Sequence, residues 1–82
     1  MASDYDKRFD GKRIYEYMTA RQAVYEIRGN EIKRYGYAEQ AVYEIRGDRI
    51  YHFRSAMQPV FDIRGNKIHD HLMATQAKYE IR

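Results

Sequence analysis

The sequence predicts an all-β domain made of tandem β-hairpins arranged as an antiparallel meander, and three observations carry that expectation. An 18-residue period runs unbroken from Gly11 to Arg82: Gly11, Gly29, Gly47 and Gly65 recur at that spacing, as do Ile14, Ile32, Ile50 and Ile68, and Gln22, Gln40, Gln58 and Gln76. Each full unit holds two runs in which β-branched or aromatic residues alternate with charged ones, as in Val42-Tyr-Glu-Ile-Arg46 and Arg49-Ile-Tyr-His-Phe53. That period of two is the mark of half-buried strands. Between the runs stands Gly29-Asn30, Gly47-Asp48 or Gly65-Asn66, a signal for the primed two-residue turns whose twist matches the flanking strands. A helix is excluded because apolar residues recur at spacing two and the glycines fall where a helix would break.

Along the chain, residues 1–6 read as a frayed lead and 7–21 as a worn first repeat. There Lys7 and Arg8 replace the Tyr-Glu pair, Phe9 stands at the position of Ile27, Gly11 keeps the turn, and Ile14-Tyr-Glu-Tyr17 makes a good second strand. Terminal units of arrays are commonly atypical. Full repeats follow at 22–39, 40–57 and 58–75, and 76–82 is a capping strand whose own second strand is missing. Together they form one domain, 1–82, of about nine short strands. In the links, Ala20, Ala38, Ala56 and Ala74 recur beside the glutamines, which suggests a tight packed bend. Pro59 replaces Ala41 there, at a position that precedes the strand and need not donate to the ladder.

The turn fixes the register. Arg28 should face Glu31, Ile27 face Ile32, Glu26 face Lys33, and Tyr25 face Arg34; in the next unit Ile45 faces Ile50 and Tyr43 faces His52. One face of each hairpin is then Tyr or Phe, Ile and Ile, the core face. The other, with Val24, Glu26, Arg28, Lys33, Tyr35 and their equivalents, is mixed. The alternative with the same period is a parallel β-solenoid. It would stack Glu26, Glu44, Asp62 and Glu80 in one column and Arg28, Arg46, Arg64 and Arg82 in the next, about 4.8 Å apart, and like charges directly opposite destabilise. The meander avoids this.

Whether the sheet curls or closes is left open. A chain of 82 residues without cysteine has a thin core and no disulfide to reinforce it. A single-layer sheet must bury its apolar face against something. Closure into a barrel would serve, but short strands supplying about two inward side chains each promise a poorly filled interior. The expectation is therefore a homo-oligomer, a dimer, joined through the Tyr-Ile-Ile faces or through an unpaired edge at Tyr79 and Ile81.

Composition bounds the function. Fifteen basic and 12 acidic residues give a net charge of +3, interspersed rather than concentrated as in a dedicated nucleic-acid binder. The N-terminus is polar, with no signal peptide, and no apolar run could span a bilayer, so a cytoplasmic protein without membrane contact is expected. His69-Asp70-His71, with His52 one unit earlier, is the only cluster of metal-ligand types, and with Asp62 opposite His69 an ion could be shared by His69 and His71. They also occupy slots held elsewhere by aromatics, so no metal and no cofactor is expected. Ser3 and Ser55 belong to no nucleophile motif. Glu26, Glu44, Asp62 and Glu80 each have a basic residue two positions on, which reads as ion pairing that holds register rather than acid–base catalysis; an enzyme is not expected. The candidate interaction face is Tyr15, Tyr17, Lys33, Tyr35, Arg46, Arg49, Tyr51 and Phe53. The function expected is a structural or protein-interaction module acting by self-assembly or partner binding. The alternative is a small RNA- or DNA-binding protein that stacks bases on the aromatics and tracks phosphates with the cations.

Overall fold

In the computed structural model, which describes residues 8–18, 21–37, 40–55, 57–72 and 76–82, the row of hairpins curls until its last strand meets its first. Eight strands are present among the described residues: β1 (Arg13–Glu16), β2 (Tyr25–Arg28), β3 (Glu31–Arg34), β4 (Tyr43–Arg46), β5 (Arg49–His52), β6 (Phe61–Arg64), β7 (Lys67–Asp70) and β8 (Tyr79–Ile81). They follow one another in chain order around a closed antiparallel barrel. The meander is what forms, not the solenoid. Each expected hairpin register is observed, including Arg28 opposite Glu31, Glu26 opposite Lys33 and Tyr43 opposite His52.

Two kinds of connection alternate. At one end lie the tight turns. Gly29, Gly47 and Gly65 have φ of 66°, 64° and 65°, while the Asn or Asp that follows does not take positive φ, as in type II′ turns, where glycine holds the first central position. The second central residue instead ties neighbouring hairpins together. Asn30 donates its side-chain amide to the Ile45 carbonyl, and Asn66 donates to that of Ile81. At the other end lie the longer links. Each begins with a left-handed residue, Met18 (φ 65°), Gly36 (84°), Arg54 (63°) or Leu72 (61°). Ala23, Ala41 and Ala77 are buried further along, whereas the recurrent glutamines are exposed where they are described. The expected bend at Ala20, Ala38, Ala56 and Ala74 lies outside the described residues.

Closure changes two expectations. Strand β8 pairs with β1 through Ile14–Ile81, Tyr15–Glu80 and Glu16–Tyr79, and the Arg13 and Arg82 backbones exchange hydrogen bonds of 3.0 and 2.9 Å. The edge expected at Tyr79 and Ile81 is therefore covered on both sides, by β7 and by β1. The second change concerns Phe9. The C-terminal strand supplies the partner that the worn first repeat cannot, so Ile81 rather than Phe9 packs beside β1. Phe9 instead sits in a turn, buried in the core. Its neighbours tie it to the tight-turn end: Asp10 accepts from the Gly29 amide at 2.6 Å, and Arg8 reaches the Gly47 carbonyl and the Asp48 carboxylate.

The interior is full, against the expectation of a poorly filled barrel. Ile14, Ile27, Ile32, Ile45, Ile50, Ile63, Ile68 and Ile81 all point inward. Above them Tyr25, Tyr43, Phe61 and Tyr79 form a ring of edge-to-face contacts, with centroids 5.6 to 5.9 Å apart. That geometry suits aromatic quadrupoles. One small space of about 10 Å³ lies among Ile14, Ile32, Ile50, Ile68 and the four rings; it is apolar and no larger than the roughly 10–15 Å³ one water needs. Filling works because eight strands enclose an interior just wide enough for side chains. It also means that the Tyr-Ile-Ile faces are spent inside the barrel and cannot join two copies.

Candidate binding surfaces

With the interior filled, ligands and partners have only the outside. The 18-residue period lays four equivalent rows across it, each running from the second strand of one hairpin over both strands of the next. They are Arg13–Glu26–Lys33, Glu31–Glu44–Tyr51, Arg49–Asp62–His69 and Lys67–Glu80–Tyr15. The whole first row, and Glu31 and Glu44 of the second, each line a groove that link residues close at one side. The first groove holds Arg13, Glu26, Arg28, Lys33, Tyr35, Gly36 and Tyr37 in about 540 Å³. The second holds Glu31, Glu44, Arg46, Phe53 and Arg54 among its walls, in about 630 Å³.

The central acid of each row anchors its surroundings. Glu44 accepts from Arg46 at 2.6 Å and from the backbone N–H of left-handed Arg54 at 3.2 Å. Glu80 takes Arg82 at 3.1 Å and Glu26 takes Arg28 at 3.6 Å. These pairs run along one strand, between residues two apart, where cross-strand and diagonal pairs that hold register were expected; among the four acids Asp62 is the one that pairs across strands in the described residues, with Arg49 and His71. Arg46 also lies over the Tyr51 ring at 5.3 Å and Arg82 over Tyr15 at 4.7 Å. One relation recurs between units: Arg13 covers Tyr35 at 5.1 Å, and Lys67 covers Tyr17 at 5.9 Å.

At Asp62 the arrangement differs. His71 lies just past β7, with Nδ1 2.7 Å from Asp62 Oδ1, while the Leu72 N–H donates to Oδ2 at 3.1 Å and Arg49 stands 3.9 Å away. Burial pushes this carboxyl up, but the hydrogen bonds from His71 and Leu72 and the charges of His71 and Arg49 outweigh it and hold the pKa below the ordinary value. Asp62 and His71 are thus a bonded pair, with His69 opposite Asp62 in the ladder. Among the described residues no three His, Cys, Asp or Glu side chains are placed to share a metal ion.

The candidate interaction face is not one continuous band. Curvature spreads its members around the barrel: Lys33 and Tyr35 line the first groove, Arg46 and Phe53 line the second, Arg46, Arg49 and Tyr51 share a depression beside the Gly47-Asp48 turn, and Tyr15 and Tyr17 go with the fourth row. Two features lie beyond what the sequence pattern indicates. One is the closing of the core-face aromatics into a ring: burial, with the charge of and hydrogen bonding to Tyr25, raises the pKa of Tyr43, and burial with Tyr25, Tyr43 and Glu16 pushes that of Tyr79 up to about 12. The other is a rim of exposed apolar side chains, one in the described part of each link: Met18, Tyr37, Met57 and Leu72, at 76, 52, 89 and 79 % exposure. The link residues vary from repeat to repeat, so nothing periodic announces it. Comparison with protein-family models, curated proteins and solved structures found no match.

Proposed function

We propose that the chain is a protein-interaction module that self-associates through the link end of its barrel. The observation that carries this reading is the rim: among the described residues each link exposes a large apolar side chain, at the same end of the barrel. The opposite end shows Gly, Asn, Asp and Arg at its turns. Exposed apolar groups gathered in one place, rather than scattered, mark interaction surfaces. The filled interior supports the same reading, since it leaves the surface as the place of function. Two copies meeting end to end would cover Met57 and Leu72, the two most exposed members, without disturbing the sheet. Light scattering over a concentration series tests it. The expected result is a mass above 9.9 kDa that rises with concentration and returns to that of the single chain in Met57→Glu/Leu72→Glu. A constant monomer mass, or a dimer that the double substitution leaves intact, would overturn the proposal.

A further inference from the structure

The four outer rows are built to one plan, and the first departs from it in charge. In the third and fourth rows the acid has a cation on one side and a ring on the other: Arg49–Asp62–His69 and Lys67–Glu80–Tyr15. In the second, Glu31 and Glu44 stand side by side next to Tyr51. Of the four, only Arg13–Glu26–Lys33 places a cation on each side of the acid, and Arg28 adds a third by pairing with Glu26 at 3.6 Å. Lys33 occupies the position where Tyr51 receives Arg46 and Tyr15 receives Arg82. Arg28 therefore finds a like charge where its equivalents find a ring. Three cations stand around the carboxylate of Glu26 in this groove, with Glu31 opposite Arg28 at its edge, which leaves the groove an excess of positive charge that an anion would offset.

The rest of the groove supplies flat apolar surface. Tyr35 lines it under Arg13, and Tyr37, half exposed, stands at its lip with Arg34 4.1 Å over its ring. At about 540 Å³ the groove is open to solvent and close in size to the second, so its side chains rather than its volume set it apart. We infer that this groove binds a phosphate ester carrying a flat ring, a nucleotide, with the phosphate among Arg13, Arg28 and Lys33 and the base against Tyr35 and Tyr37. Cations beside aromatics serve both parts of such a ligand. The source is either a free mononucleotide or a residue of a single strand. Tyr37 also belongs to the apolar rim, so the site and the self-association are separable only through Lys33, Arg13 and Arg28, which the rim does not use.

The test follows amide signals of the full chain by NMR, on adding adenosine 5′-monophosphate in one arm and a short single-stranded oligonucleotide in the other. Shifts confined to Lys33, Tyr35, Gly36 and Tyr37, absent from the equivalent Tyr51, Phe53, Arg54 and Ser55, are expected with at least one probe. A response to the mononucleotide assigns the free ligand; a response to the oligonucleotide alone assigns the polymer. Lys33→Tyr installs the residue that two of the three equivalent positions, Tyr15 and Tyr51, already carry, so it keeps the fold, which a thermal melt checks. It should weaken binding roughly tenfold, the order expected for one lost charge-assisted contact, while Lys67→Tyr leaves it unchanged. Silence with both probes, shifts spread evenly over all four rows, or unchanged binding in Lys33→Tyr would overturn the inference.

Discussion

Replacing Ile81 by alanine tests whether the barrel is closed in solution. Ile81 is 2 % exposed and packs among the other interior isoleucines, yet it lies on the terminal strand, held to β1 by no covalent connection. Ile→Ala removes three carbons, a transfer loss of about 2.4 kcal/mol at roughly 0.8 per methylene. The cavity left in so full an interior brings the total to about 2–5 kcal/mol. For a domain of this size that approaches half of an overall stability of about 4–12 kcal/mol, or more than about 10 °C in Tm. Ile45, at the equivalent position on a central strand and 1 % exposed, serves as the reference. Urea unfolding of both variants should give matching losses, because closure makes the terminal position as interior as the central one. If Ile81→Ala cost under about 1 kcal/mol while Ile45→Ala cost the full amount, the last strand would be an open edge and the closed topology would be wrong.

Other outcomes follow from the links and from the titrating groups. Arg54 holds φ of 63° where its equivalent is Gly36, so Arg54→Gly should stabilise by about 0.5–1 kcal/mol, the left-handed strain relieved less the added freedom of the unfolded chain; Arg54→Val should destabilise, and thermal melts of the pair read the sign. Asp62 titrates below its ordinary 3.8 in the folded chain. Its contribution is therefore present above that value and fades as pH falls through the folded pKa, and acid-titrated urea melts should show wild type and Asp62→Asn converging on acidification. Tyr79 is raised from 10.0 to about 12, so its stabilisation is complete below pH 10 and is lost as pH rises toward 12. Tyr79→Phe, which copies Phe61, should flatten that alkaline decline; a decline of unchanged size would refute the assignment to this hydroxyl.

The hairpins are legible in the sequence because turn chemistry and a period of two are local signals: Gly47-Asp48 with Ile45 facing Ile50 needs no knowledge of the rest of the chain. Closure is harder to see. It depends on Phe9 giving up its place to Ile81, a partner some 70 residues away in sequence, and on interior volumes that strand length alone does not reveal. An edge at Tyr79 and Ile81 is what an open sheet would have, and it is absent because β1, paired with β2 on one side, has no hairpin strand of its own on the other and takes β8 there. Met18, Arg54 and Leu72 carry no sign of left-handed backbone in their identity; Gly36 alone does, and a single glycine among four equivalent positions looks incidental. On the surface, the members of the aromatic and basic face are identifiable from residue type, but the curvature that deals them out to separate rows is not.

The meeting of Arg82 with Arg13 turns an open-ended array into a ring that counts its members. A solenoid can gain a repeat at either end and merely lengthen, whereas here each added pair of strands must widen the circle. Circumference grows in step with the number of strands, but the enclosed space grows as its square, while each unit brings the same three inward side chains. Four units are the number at which filler and space agree, to within the 10 Å³ beneath the aromatic ring. A fifth copy spliced into the chain is expected to be left out, looped and unfolded beside an unchanged barrel, so duplication of this unit can yield new molecules more readily than longer ones.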